Sequence, residues 1–373
     1  MRLSVHHEIP ENEELRRGWN DLVLGMESPE VFYTYEWALA LSHGYAASVR
    51  PLLVLGYDGG KLAGVASLTL DEQQHTLSFL AGNTADYCDF VSAPERRSEF
   101  VGLVLRKLQE FAPHLVLPNL PVASCTGWAL KDLSGPQGSS HFARPAFRCG
   151  KVDLTVSEGR SHIKHATRTK KTIRQGMSAM ARAGAVEIRH LSDWREISDS
   201  LPAFRDAHLQ RFYSMGRTSN LAAPERWNFL LELAQLLSQQ CSVAFSQLTL
   251  NQQPIAWAYG FRFHRSWFYY QPAFDSRFSQ YNPGLCLLGR IVQDACDDLS
   301  VERVELGLGD EEYKHRFANA YSETTYVTLT TSLAHHVRGR LRFQAASAIK
   351  SMPALEHCVR RLLGRTITGA ARA

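Results

Sequence analysis

The chain has 373 residues, 45% of them hydrophobic and 21% charged, with a formal net charge of +4. It is too long for one ordinary domain and apolar enough for two packed cores, yet no run approaches the roughly 20 apolar residues that span a bilayer. Charges and a proline in MRLSVHHEIPENEEL stand where a signal peptide carries its apolar segment, so a cytoplasmic protein is expected. Seven cysteines are scattered without a CxxC pair and the histidines lack ligand spacing, so neither a disulfide framework nor a metal site is expected. The positive charge is concentrated at one end. From Leu333 onward eight basic residues stand against Glu356, a local +7 that leaves residues 1 to 332 at −3.

In chain order, Glu13 to Met26 places Leu15, Trp19, Leu22 and Val23 at helical spacing, and Phe32 to Leu41 reads as a second helix. Pro51 to Tyr57, Leu62 to Leu70 and Thr76 to Leu80 read as strands, the first two joined by the hairpin signal Asp58-Gly59-Gly60. After Ala81-Gly82-Asn83 come ADYCDF (Ala85 to Phe90), a helix around Glu95 to Phe111, and a strand at Leu115 to Leu117. Residues 118 to 150, with Pro118, Pro121, the Gly/Pro/Ser cluster at 134–138 and Pro145, read as an irregular connector into a short strand, Lys151 to Val156. The next helix, over residues 160 to 182, carries seven basic residues and no acid. That is too one-sided for an ordinary solvated face, and it suits CoA phosphates, a nucleotide-sugar, anionic lipid or RNA, the alternative being a solvated helix with unpaired charge. A strand follows at Val186 to His190, then helices near Ser192 to Met215 and Pro224 to Ser238.

The stretch from Cys241 to Phe317 reads as three strands, a helix and a strand. Ser242 to Leu250, Ile255 to Phe263 and Ser266 to Phe274 form an antiparallel meander. Gln280-Tyr281-Asn282-Pro283-Gly284 then opens a helix through Leu285, Leu288, Val292 and Ala295, and Val301 to Leu308 ends in Gly309-Asp310. A helix start brought to the sheet edge after a strand is a place to hold a pyrophosphate. The first half repeats this order of elements, which predicts a tandem duplication with a groove between copies. Only the second copy has the Pro-Gly turn. The expected class is α+β: tandem domains, each a mixed, mostly antiparallel sheet flanked by helices, over 1–150 and 151–332. A basic amphipathic tail, 333–373, suits an anionic membrane surface, packing on the body, or disorder.

Asn282-Pro283-Gly284, GLGDEEYKHRF (Gly307 to Phe317), FYTYEWALAL and ADYCDF together resemble the GNAT acyltransferases, in the BioF-like branch related to CelD (BcsL) proteins and FemAB transferases. The resemblance implies an acyl-CoA lying in a splay between two neighbouring strands. Gln280, Asn282, Pro283, Gly284 and Leu285 would then bind the cofactor, acetyl-CoA or another acyl-CoA. Asp310 would act as general base or orient the acceptor, or else cap the helix that follows it. Tyr313 would protonate the leaving thiolate. Lys314 and, more weakly, Arg316 would bind substrate, or lie on a solvated helix end. Asp86 and Tyr87 would hold acceptor hydroxyls or an amine, unless they serve the turn alone.

The implied function is N- or O-acyl transfer, acetyl first, to a sugar or amine precursor of an envelope or extracellular polysaccharide. The partners are then acyl-CoA and a small-molecule or glycan-precursor acceptor, with no nucleic acid expected. The tail would permit peripheral contact with the inner face of the membrane. Two alternatives stand beside this: Fem-like aminoacyl transfer, and a non-catalytic accessory of a polysaccharide synthase complex. The second is kept open by the single Gly284 where the superfamily's loop carries several small residues.

Overall fold

The computed structural model describes residues 1–133, 140–240 and 242–350. Cys241, Cys358, the cluster at 134–138 and the tail beyond residue 350 lie outside the described residues. The first half runs β1 (Arg2–His6), α1 (Glu13–Leu24), α2 (Tyr35–Gly44), β2 (Pro51–Asp58), β3 (Lys61–Asp71), β4 (Thr76–Phe79), β5 (Val91–Ser92), α3 (Arg97–Leu108), β6 (His114–Pro121) and α4 (Cys125–Leu133). Next come β7 (Ser140–Asp153), α5 (Gly159–Thr169), α6 (Lys171–Ala183), β8 (Val186–Leu191), α7 (Trp194–Ser214) and α8 (Pro224–Ser238). The remainder is β9 (Phe245–Leu250), β10 (Gln253–Phe263), β11 (Ser266–Phe274), α9 (Pro283–Asp297), β12 (Arg303–Leu308), α10 (Glu312–His315), β13 (Ala320–Thr330) and α11 (Leu333–Lys350).

Local chemistry accounts for many boundaries. The Asn12 side chain accepts from the Leu15 N–H to start α1, and Asp193 accepts from Arg195 and Glu196 to start α7. Three expectations are corrected. The irregular connector contains the end of β6, α4 and most of β7, so the short strand expected from Lys151 is the end of a 14-residue one. The basic helix of 160 to 182 is two helices, broken where Lys170 turns extended (φ −52°, ψ 126°). Strands β1 and β13 were not anticipated.

The chain packs as two units that are not contiguous. One comprises Met1–Glu27, Val49–Ala146 and the chain from Glu323; the other comprises Ser28–Ser48 and Phe147–Ser322. The boundary expected at 150 therefore falls within β7. FYTYEWALAL, expected with the first copy, packs in the second unit, where Trp37 meets Phe229 and Phe261 edge-on and Phe32 meets Phe268.

Within the first unit the strand order is β1-β2-β3-β4-β6-β13, with β5 beside β3; within the second it is β7-β12-β11-β10-β9-β8. In each, three antiparallel strands are followed by a helix and a strand parallel to the third: β4 with β6 across α3, and β11 with β12 across α9. The fold is α+β, and its plan is repeated. The second unit's main core packs α9 and α6 on one sheet face through Ile173, Met180, Leu288, Val292, Val304 and Leu306. In the first unit a fully buried Arg97 pairs with Asp89 (3.1 Å) and Glu27 (3.2 Å). No helix among the described residues is long and apolar enough to cross a membrane. Helix α11 stacks His335 on His114 (centroids 3.9 Å apart) and leaves Leu333, Val337 and Leu341 exposed.

Candidate active site

Strands β11 and β12 pair over three positions only: Ser266 with Arg303, Trp267 with Val304 and Phe268 with Glu305. Both strands run on past that point, so they diverge. Each has a local cause. On β11 the register against β10 shifts so that Tyr259 faces Gln271 while Gly260 faces Tyr269, leaving Tyr270 as an extra residue. On β12 the register against β7 is irregular between Glu305 and Leu308, where Gly307 has φ +77°. A bulge bends its strand, and two bulges just beyond the last paired residues open a wedge.

Helix α9 begins beside this wedge. Asn282 takes the left-handed conformation (φ 51°, ψ 49°) and caps through its carbonyl, which accepts from Leu285 (3.1 Å) and Cys286 (3.0 Å). Pro283 at N1 brings no donor, and the Gly284 N–H has no acceptor among the described residues, leaving a donor at the positive end of a 15-residue helix. A Cβ on Gly284 would lie 3.4 Å from the Phe274 ring, so the ring at the end of β11 packs beside the helix start and glycine keeps that contact free of strain. Gln280 and Asn282 are exposed, Pro283 is buried, and Gly284 and Leu285 are half-buried, Leu285 packing on the core. Helix α6 lies close: a Cβ on Gly176 would stand 2.3 Å from the Tyr281 carbonyl oxygen. Its Lys171 and Arg174 are exposed. The donor set thus fits a pyrophosphate: a helix N-terminus, one unpaired N–H, and basic side chains on the adjoining helix.

Past β12, exposed Asp310 pairs with His315 (Oδ1 to Nε2, 3.0 Å), and the other ring nitrogen, Nδ1, lies 3.0 Å from the Tyr321 hydroxyl. The Arg148 guanidinium covers the Tyr321 ring at 3.6 Å. Asp310 is therefore not a helix cap. Glu311 occupies the position before α10, without a side-chain capping bond. Nor do Asp310, Tyr313 and Lys314 share an open face. Tyr313 packs against the core cluster, while Lys314 is 4% exposed and donates to the carbonyls of Gly307 (3.3 Å) and Leu308 (2.5 Å). Lys314 also pairs with Glu311 at 2.8 Å, so its ammonium holds the bend of β12 rather than facing a ligand. Arg316 pairs with Glu312 at the surface (2.6 Å). His315 and Tyr321 were missed in the sequence.

Asp86, half-buried, and Tyr87, buried, lie in the first unit's loop between β4 and β5. Asn119 of β6 fastens that loop: its carbonyl accepts from the Cys88 N–H (3.0 Å) and its amide donates to the Ala85 carbonyl (2.9 Å). Asp89, the second aspartate of ADYCDF, accepts from Ser124 and Thr126 (2.5 Å each). Where β11 and β12 leave a wedge, the equivalent space beside β6 is taken by the chain's own loop.

A buried carboxyl pair underlies β12. Burial, the Glu305 carboxylate and, acting against them, Arg303 set the Glu30 carboxyl at a pKa of about 8. Its Oε2 has no hydrogen-bond partner. The folded chain keeps this proton up to about pH 8, whereas the unfolded chain loses it near 4.5. The associated stability is therefore fully present below 4.5 and lost as pH rises through 8, at up to about 1.4 kcal/mol per pH unit. Glu30→Gln, which stays neutral, should unfold at higher temperature than the parent at pH 8 and show little difference at pH 4.5. Melting curves across that range check this, and an equal shift at both pH values would refute it.

Residues 167–315, from the end of α5 through α10, match the family described as Acetyltransferase (GNAT) domain. No curated protein matches the sequence. Among solved structures the chain is similar to FemX, with TM-score 0.62 and 10% identity over 88% of this chain and 97% of that one. It is also similar to the C-terminal DUF2156 domain of a putative lysylphosphatidylglycerol synthetase from Agrobacterium fabrum: 0.55 and 15%, over 90% and 96%. A third is L-PGS from Bacillus licheniformis: 0.53 and 12%, over 97% and 99%. At these identities the likeness is one of fold. The residues that match the acetyltransferase (GNAT) domain carry both bulges, the α9 start and the Asp310–His315 pair.

Proposed function

We propose that the second unit binds an acyl-CoA, acetyl-CoA first, in the wedge between β11 and β12 and transfers its acyl group to an amine or hydroxyl. The acceptor is a small molecule or glycan precursor, as the BioF-like and CelD resemblance suggests. The observation that carries this reading is the three-position ladder between two strands that both bulge immediately afterwards. The thioester supplies an activated acyl carbon. The chain's own residues do the rest. The α9 start and the α6 cations hold the phosphates, and the β11 edge beyond Phe268, with no strand alongside it, offers backbone N–H groups to the thioester carbonyl. Asp310 takes the nucleophile's proton and shares it with His315, while the Tyr321 hydroxyl steadies that ring in one orientation. Tyr313 keeps its assigned part, as donor to the departing thiolate.

The test is thermal. A ligand bound only by the folded state should raise the melting temperature, by the equivalent of about 2.7 kcal/mol at one hundred times its Kd. Acetyl-CoA is expected to do this, whereas no shift with acetyl-, longer acyl- or free CoA would remove the donor assignment. A second reading, Fem-like aminoacyl transfer, is favoured by the FemX-like fold and the basic α5–α6 pair. It predicts stabilisation by charged tRNA in place of CoA. The shortness of those helices, 11 and 13 residues, leaves it second.

A further inference from the structure

Arginine 226 opens helix α8, and it is 5% exposed. Its Nη2 donates to the Tyr270 hydroxyl at 2.5 Å, while Nε and Nη1 have no hydrogen-bond partner. Among the described residues no carboxylate pairs with it. A guanidinium does not lose its proton in a protein, so this is a buried, permanent and uncompensated positive charge, an arrangement that folding alone disfavours.

Its position gives the charge a purpose. Tyr270, the residue it holds, is the extra residue of the β11 bulge at the wedge. The side chains of Trp267 and Tyr269 pack into the core on the α9 face. Those of Phe268 and Tyr270 point the other way, toward Phe32 and Trp37. Arg226 thus lies on the sheet face opposite α9, among the aromatic side chains that α2 and α8 pack there. Of the nearby groups Glu225 carries the opposite charge, and it acts on Tyr45. Burial, Arg211 and Arg226 together push His208 down to about 4, so its imidazole is neutral at pH 7. The Arg211 guanidinium lies over the Phe274 ring at 4.9 Å. Burial raises the Tyr45 pKa against the charge of Arg226 and a hydrogen bond to it, so that side chain is a neutral phenol and a second hydroxyl partner of the guanidinium beside Tyr270. A neutral imidazole, a neutral phenol and two cations, outnumbering Glu225, suit an anionic ligand.

We infer that Arg226 is an anion site for the acceptor, which carries a carboxylate or phosphate group bound by an unpartnered edge of the guanidinium beside Tyr270. Nη2 shares one edge of the planar group with Nε and the other with Nη1, and Tyr270 takes only one of its two protons, so one edge keeps two N–H donors for two oxygens of one such group. This rests on the acyl-transfer reading for the identity of the ligand as acceptor, but the anion site itself is measurable without any donor.

The experiment titrates the full chain and Arg226→Met with inorganic phosphate and, separately, with acetate at matched ionic strength, following the melting temperature. The parent is expected to be stabilised by one or both anions, and which of them acts separates phosphate from carboxylate recognition. Arg226→Met is expected to melt higher than the parent without anion, because the uncompensated charge is gone, and to lose the response at least about tenfold in apparent affinity. Acetyl-CoA should shift both proteins alike. No anion response in the parent, or an equal response in Arg226→Met, overturns the site. Loss of the acetyl-CoA shift alone would overturn the donor assignment and leave the anion site standing. Should Arg226→Met fail to fold, Arg226→Lys decides. It keeps the charge but not the fork, so a weakened response supports the site and an unchanged one refutes it.

Discussion

Replacing Asp310 with asparagine is expected to lower kcat for acyl transfer by about 10²-fold or more, the usual contribution of a positioned base, with little change in the KM for acetyl-CoA. The carboxylate lies 3.0 Å from His315 Nε2, which in turn lies one hydrogen bond from Tyr321. A proton accepted at Asp310 can therefore be shared along the pair. Because the two groups act together, His315→Ala should cost a comparable factor, and the double variant little more than either single one. Release of CoA thiol in the presence of an accepted amine or alcohol measures all three. An unchanged rate in Asp310→Asn would take the pair out of the proton path and leave it a surface ion pair between exposed groups, which contributes little to stability.

The second large effect is expected at Gly307. With φ at +77° inside β12, this residue occupies a region where a Cβ costs roughly 1–2 kcal/mol. Its carbonyl also receives the Lys314 ammonium. Gly307→Ala should relieve the strain by straightening β12 toward β11, so the loss appears both as a lower melting temperature and as weakened binding of acetyl-CoA. Gly60→Ala is the matched control. Its φ is +85° in the hairpin between β2 and β3, with open space around it. It should lose comparable stability and leave CoA binding untouched. Equal CoA affinity in the two variants would show that the bulge of β12 does not shape the donor site.

Much of the second unit was legible because its signals are local. The hydrophobic pattern marked β11 and α8 at the residues where they begin and end, and Asn282-Pro283-Gly284 marked the start of α9. Pairing in parallel across a helix follows from the order of elements. What escaped was non-local or went against composition. Pro145 and the charges of Arg144 and Arg148 hid β7, yet Arg144 lies over the Tyr326 ring and Arg148 over that of Tyr321, so the charges are used in ring contacts. Without β13 in view, Tyr321 could not be placed beside His315, and the pair with Asp310 stayed invisible. Lys314 reads as a surface lysine in any helical turn. Only the bend of β12, which turns two carbonyls toward it, draws it inside. The exchange of Ser28–Ser48 into the second unit has no signature in neighbouring residues at all.

The measurement closest to the central claim is amide hydrogen exchange with and without acetyl-CoA. Slowed exchange confined to residues 269–274, 283–287 and 306–310, with residues 76–92 of the first unit unchanged, is the predicted result. Protection that appears in the first unit instead, or nowhere, would contradict the assignment of the wedge between β11 and β12 as the seat of the thioester.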